Sequence, residues 1–156
     1  MALPPFQTFL DDQRDTVFRF LVATVGFDDA EDCFQDTFVS ALRAYPRLEE
    51  GSNLRAWVLT IAHRKALDTF RARKRRPLPV EELPEIPAAA EQSVNGSSDV
   101  WSAARELPAK QREALLYRFA ADLPYADVAE VLGTSEEAAR QRVSEALRNL
   151  RKAWQS

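Results

Sequence analysis

Residues 127–147 read DVAEVLGTSEEAARQRVSEAL. Leu132 closes an apolar helical face, Gly133 can take the positive φ of a helix C′ position, and Ser135 can cap the helix that follows. Helix, short glycine turn, helix is the helix-turn-helix pattern, and the small Ala129 suits a close crossing of its two helices. In the second helix Ala139, Val143, Ala146, Leu147 and Leu150 make a buried stripe, which leaves Glu137, Arg140, Gln141, Ser144 and Arg148 outward. Arg and Gln near the start of such a helix can reach base edges in a major groove. Glu136, Glu137 and Glu145 would repel phosphates, so the module should bind DNA feebly by itself. Helix pairs of this kind also occur in bundles that never meet DNA, and the pattern alone leaves both readings open.

Working outward, helices are expected over about 99–107, 109–121, 124–132 and 135–153. Before them lies PLPVEELPEIPAAAEQSVNGSS, residues 77–98, with four prolines and no basic group. Proline at that density forbids helix and favours an extended path, so the segment reads as a linker between domains 1–76 and 99–156. In the first domain helices are expected over about 6–25, 29–44 and 53–75. Phe34, Phe38, Ala41, Leu42 and Tyr45 would form the apolar face of the second, with Asp28 and Glu31 as a capping box. Trp57, in LRAWVLTIA, reads as core. Only 4 glycines and few β-branched runs argue against a sandwich or barrel; the expected fold is all-α, two small helical domains.

The net charge of −3 hides a block pattern: −6 over residues 1–50, +7 over 51–76, −5 over 77–108 and +1 over 109–156. Such asymmetry points to partners of opposite sign. The run RARKRR, residues 71–76, ends a helix, where positive charge complements the macrodipole. That explains two or three charges but not Arg64 and Lys65, which with Arg71 and Arg75 continue a basic face suited to phosphates. In DAEDCFQDTF, residues 29–38, helical spacing puts Asp29, Asp32 and Asp36 on one side, at a cost of roughly 0.2–0.5 kcal/mol per like-charged pair. A solvated acidic face and a dock for a basic protein surface both account for that stripe.

No leader-like segment or run of about 18 apolar residues stands in the chain, which gives the expectation of a cytoplasmic protein without membrane insertion. Cys33 is the only cysteine and reads as a small structural residue; His63, the only histidine, has no companions for a metal site. There is no phosphate-cradling glycine loop and no catalytic triad or carboxylate pair, so neither an enzyme nor a bound cofactor is expected.

DAEDCFQDTF, NLRAWVLTIAHRKALDTFRARKRR, the proline-rich linker, and LPAKQREALLYRF followed by LPYADVAEVLGTSEEAARQRVSEALRNLR stand in that order. Together they resemble an extracytoplasmic-function sigma factor, the smallest class of the sigma-70 family of bacterial initiation factors, over about residues 6–76 (region 2) and 99–153 (region 4). The resemblance implies that the second helix docks on the clamp coiled coil of the largest subunit of core RNA polymerase through Asp29, Asp32, Gln35 and Asp36. It implies that the loop from Arg47 to Asn53, with Ser52, captures an unstacked base of the minus-ten element. Arg64, Lys65, Arg71, Lys74 and Arg75 would hold the melted strand. Ser135, Glu137, Arg140, Gln141, Ser144 and Arg148 would face the minus-thirty-five element, and an anti-sigma factor, a partner able to hold the chain at a membrane, would clamp the two domains. Two departures bear on base preference and phosphate contact: Arg64 stands where the family usually has Asn, and Glu145 where a basic residue is usual. Two other functions stay open, a sigma-like mimic that sequesters an anti-sigma factor and a dimeric helix-turn-helix regulator.

Overall fold

The computed structural model describes residues 2–75 and 96–155, and every regular element among them is helical. Helices α1 (Phe6–Val25), α2 (Phe27–Ala44) and α3 (Leu54–Arg75) pack on one another as a three-helix unit. Its core takes Val17, Phe20 and Leu21 from α1, Ala30, Cys33 and Phe38 from α2, and Val58, Leu59 and Ala62 from α3. At one end Phe9 gathers Tyr45 and Trp57, with ring centroids 5.3 and 5.8 Å away, so Trp57 packs, partly buried, against the core.

The start of α2 differs from the expectation. Gly26, at φ 91°, lets the chain leave α1 and enter α2 at Phe27 without a spacer, its carbonyl accepting the Ala30 N–H at 3.1 Å. Asp28 therefore falls in the first turn, no side chain caps the helix, and the Asp28–Glu31 capping box does not form. Leu42 also departs from its expected place. Ala41 sits at the centre of the buried stripe, and the 100° turn to the next residue carries Leu42 out to 54% exposure. After α2 comes a single 3₁₀ turn, Tyr45–Arg47. The Ser52 hydroxyl then closes the loop on the Glu49 carbonyl (2.6 Å), and Asn53 Oδ1 caps α3 by accepting the Ala56 N–H (3.1 Å).

The second half contains α4 (Gly96–Ala104), α5 (Ala109–Leu115) running into one π turn (Leu116–Ala120), α6 (Tyr125–Leu132) and α7 (Glu136–Gln155). The proline-rich stretch 77–95 lies outside the described residues, whereas Gly96, Ser97 and Ser98, expected in the linker, are helical. Between α6 and α7 the turn forms as the residues require: Gly133 is left-handed (φ 65°, ψ 38°), the Thr134 N–H donates to the Ala129 carbonyl, and Ser135 Oγ accepts the Ala138 N–H.

The two halves do not stand apart. One hydrophobic core runs from α1 and α3 into the π turn and α6, joining Phe20 and Val58 to Leu116, Tyr117, Leu123 and Val128. Phe20 and Tyr117 stack at 5.3 Å with their planes 19° apart. A smaller cluster of Leu107, Leu115, Val143 and Ala146 holds α7 to the rest of its half.

Candidate nucleic-acid interface

On α2 the buried stripe leaves Asp32, Gln35 and Asp36 exposed on the side away from the core. Asp29 stands apart from them, half-buried and ion-paired to Arg73, whose guanidinium also donates to the Val25 carbonyl at 2.9 Å. Val39 (49% exposed) and Leu42 lie one to two turns further along the same outward face as Gln35. Helical spacing thus sets an apolar pair beside acidic residues, the anatomy of a protein-binding patch with a greasy centre and polar surround. The sequence signal for Val39 and Leu42 was present but ambiguous, because FVSAL offers apolar residues to two adjacent faces at once.

On α3 the candidate strand-holding residues divide. Arg64 and Arg71 are exposed, Lys65 is half-buried, and Arg71 pairs with Asp68 at 3.6 Å. Lys74 and Arg75 lie on the last turn of α3, but their side chains fall outside the described residues. In the preceding loop Arg47 is exposed, whereas the Ser52 hydroxyl and Asn53 carbonyl oxygen are already engaged in holding the loop and the helix start.

On α7 the outward set Glu137, Arg140, Gln141, Ser144 and Arg148 is exposed as expected from the wheel, and Ser135 forms the cap at its start. Arg140 donates to Glu136 at 3.1 Å and lies over the Tyr125 ring at 4.5 Å from its centroid. Gln141 donates to Glu145 at 3.3 Å. The side chains suited to base edges are therefore occupied by carboxylates of their own helix. Arg118, whose Nη1 donates to the Leu123 carbonyl at 3.0 Å, also lies 4.8 Å from the Tyr125 centroid, so one ring serves two guanidinium groups. Sequence reading missed Tyr125 and Arg118, since nothing in the spacing ties residue 118 to residue 140.

Cys33 is buried, shares a 3.0 Å hydrogen bond with Thr69 Oγ1, and has its thiol pushed up chiefly by burial, with Asp36, Asp32 and Asp68 adding to it. That is the environment of a structural thiol. Among the described residues no helix is long and apolar enough to cross a membrane.

The family model for sigma-70 region 2 matches residues 10–76, and that for sigma-70 region 4 matches residues 97–150. The chain is 32% identical over 144 residues to the ECF RNA polymerase sigma factor SigC of Mycobacterium tuberculosis, covering 90% of this chain and 78% of that protein. The chain belongs to the extracytoplasmic-function sigma factors. The sigma factor SigV of Bacillus subtilis is 25% identical, over 92% of this chain and 87% of its own. Among solved structures, the sigma factor RpoE of Bartonella quintana in complex with the anti-sigma factor NepR is 26% identical, covers 96% of each chain and gives a TM-score of 0.72. CnrH in complex with the cytosolic domain of CnrY shares the fold at a TM-score of 0.76 over 96% of this chain and 87% of its own, with 22% identity. This sigma factor is thus an alternative initiation factor of RNA polymerase, with a region 2 unit of α1 to α3 and a region 4 unit ending in the helix-turn-helix.

Proposed function

We propose that this sigma factor binds core RNA polymerase through the outward face of α2 and directs it to promoters by reading two elements. Asp32, Gln35 and Asp36 meet a basic coiled coil on the polymerase clamp, and Val39 and Leu42 supply the desolvated centre. The acidic groups give steering and register more than raw affinity. The loop from Arg47 to Asn53 and the basic face of α3 hold a melted minus-ten strand, where extruding a base costs a few kcal/mol that stacking and phosphate contacts offset. Helix α7 enters the major groove of the minus-thirty-five element with Arg140 and Gln141 toward the bases. Catalysis stays with the polymerase, and an anti-sigma factor is the regulatory partner.

The observation that carries this reading is the α2 face: acidic groups beside an exposed apolar pair, turned away from the core on a helix whose opposite side, Ala30, Cys33, Thr37, Phe38 and Ala41, is buried. A helix-turn-helix regulator acting alone has no use for it. The test is equilibrium binding of the labelled protein to purified core polymerase. Asp32→Ala/Asp36→Ala should weaken binding and flatten its salt dependence, and Leu42→Asp should weaken it at every salt concentration. Undiminished affinity in both variants would refute the dock.

A further inference from the structure

The C-terminal end of α1 is closed by a side chain from the other half of the molecule. Arg105, just beyond α4, donates from Nε to the Thr24 carbonyl at 3.1 Å and from Nη2 to the Ala23 and Val22 carbonyls at 3.2 and 3.4 Å. Its own carbonyl accepts from Arg112 Nη1 at 3.1 Å, which fixes the turn that presents it. Thr24 and Ala23 are carbonyls the helix leaves without intrahelical partners, at the negative end of its dipole, whereas Val22 also accepts the Gly26 N–H at 3.0 Å. A guanidinium, with five donors in a rigid fork, suits them better than an ammonium. The fourth carbonyl, Val25, takes Arg73 from α3, so the side chains that close the helix end come from both region 2 and region 4, with Arg105 reaching three of the four carbonyls.

Two further contacts cross the same seam. His63 Nε2 on α3 lies 3.3 Å from Glu113 Oε1 on α5, and the stacked Phe20 and Tyr117 rings lie beside it, 6.4 and 5.6 Å from the His63 ring centroid. Phe20 is fully buried and Tyr117 is 2% exposed. The seam therefore combines a buried aromatic pair, a charged clasp at the end of α1 and a polar bridge beside the rings.

Opening is required by the proposed promoter reading, on which the functional half of this inference rests. A compact chain of 156 residues has a radius of gyration of about 15 Å, and so spans under about 45 Å. Two promoter elements centred roughly 25 base pairs apart lie about 85 Å apart along duplex DNA at about 3.4 Å per pair. We infer that Arg105 is a built-in latch: by capping α1 from region 4 it holds the sigma factor in a closed form that cannot reach both promoter elements until the seam parts. Every group in this closure belongs to the one chain. A protein that binds the open form has to displace Arg105 and then cover Phe20 and Tyr117.

The test is small-angle scattering on the full chain, with circular dichroism beside it, for wild type, Arg105→Ala, and Arg105→Ala/Tyr117→Asp. The latch predicts a compact wild type, a radius of gyration raised by on the order of a fifth in the single variant and further in the double, and unchanged helix content in the single variant. The second readout is the protein concentration giving half-maximal promoter-specific transcript with core polymerase, which should fall at least about threefold for Arg105→Ala as the competent fraction rises. A wild type already extended, or an Arg105→Ala chain as compact as wild type with intact helices, would overturn the latch. Expansion without a change in that concentration would overturn its role as a gate. If neither chain supports transcription, the promoter reading falls while scattering still decides the latch.

Discussion

At the scale of single residues, the side chains fitted to nucleic acid are also the ones with a second occupation. Arg140 is held by Glu136 and the Tyr125 ring, and Gln141 by Glu145, so binding to a groove has to exchange one set of contacts for another. Exposed pairs of this kind are worth about 0.2–1 kcal/mol, and each carboxylate also repels phosphate. Replacing Glu136 and Glu145 together by Gln should strengthen binding to a minus-thirty-five duplex by about threefold or more, read by fluorescence anisotropy at fixed salt. Asn53 illustrates the opposite case. Its side chain caps α3, so Asn53→Ala should lower unfolding stability by about 1 kcal/mol in a denaturant titration, whatever its effect on DNA.

Glu113 carries a pH dependence. The hydrogen bond with His63 holds its carboxyl below the usual carboxylate range, against burial, with the charges of His63, Arg112 and Arg142 acting in the same direction as that bond. A depressed folded-state value means stability that is present above the unfolded carboxylate range and lost as pH falls through the folded value. Glu113→Gln should therefore remove part of the acid sensitivity of unfolding between pH 5 and pH 3 (, as an order-of-magnitude window), measured as the slope of the denaturation midpoint against pH. An unchanged slope would mean that this bridge contributes nothing to closure.

At the scale of elements, the helices and the turn between α6 and α7 were legible because their causes are local. Periodicity marks the stripes, and Gly133 and Ser135 each fill the one backbone role their chemistry suits. Gly133→Ala, at φ 65°, should cost about 1–2 kcal/mol in thermal or chemical unfolding. The start of α2 was misread because an aspartate at a helix entrance signals a cap, yet a glycine at φ 91° let the helix begin two residues earlier. Leu42 was misread because hydrophobicity says that a residue wants cover, not which molecule provides it. The two possibilities separate experimentally: Phe38→Ala, in the core, should cost about 3–5 kcal/mol, whereas Leu42→Ala should stay within about 0.5 kcal/mol of wild type in stability.

At the scale of the whole molecule, the family and the helical architecture could be read from ordered motifs. The seam between the halves could not. Its partners are Phe20 with Tyr117, His63 with Glu113, and Arg105 with the end of α1, each pair brought together only by the docking of one half on the other. A lone histidine and an arginine in a polar turn carry no mark of such a pairing. The closed arrangement matters for function because the surfaces proposed for polymerase and for DNA sit on three different helices. Their simultaneous use depends on how the two halves are placed.

The most direct measurement is run-off transcription by purified core polymerase on a pool of upstream fragments, with wild type and with Asp32→Ala/Asp36→Ala/Leu42→Asp. Promoter-specific transcripts with wild type, lost with the variant while its helix content is unchanged, are the predicted result. Transcripts undiminished by the variant would contradict the α2 dock, and no transcripts from a folded wild type that still binds an anti-sigma factor would contradict the initiation reading itself.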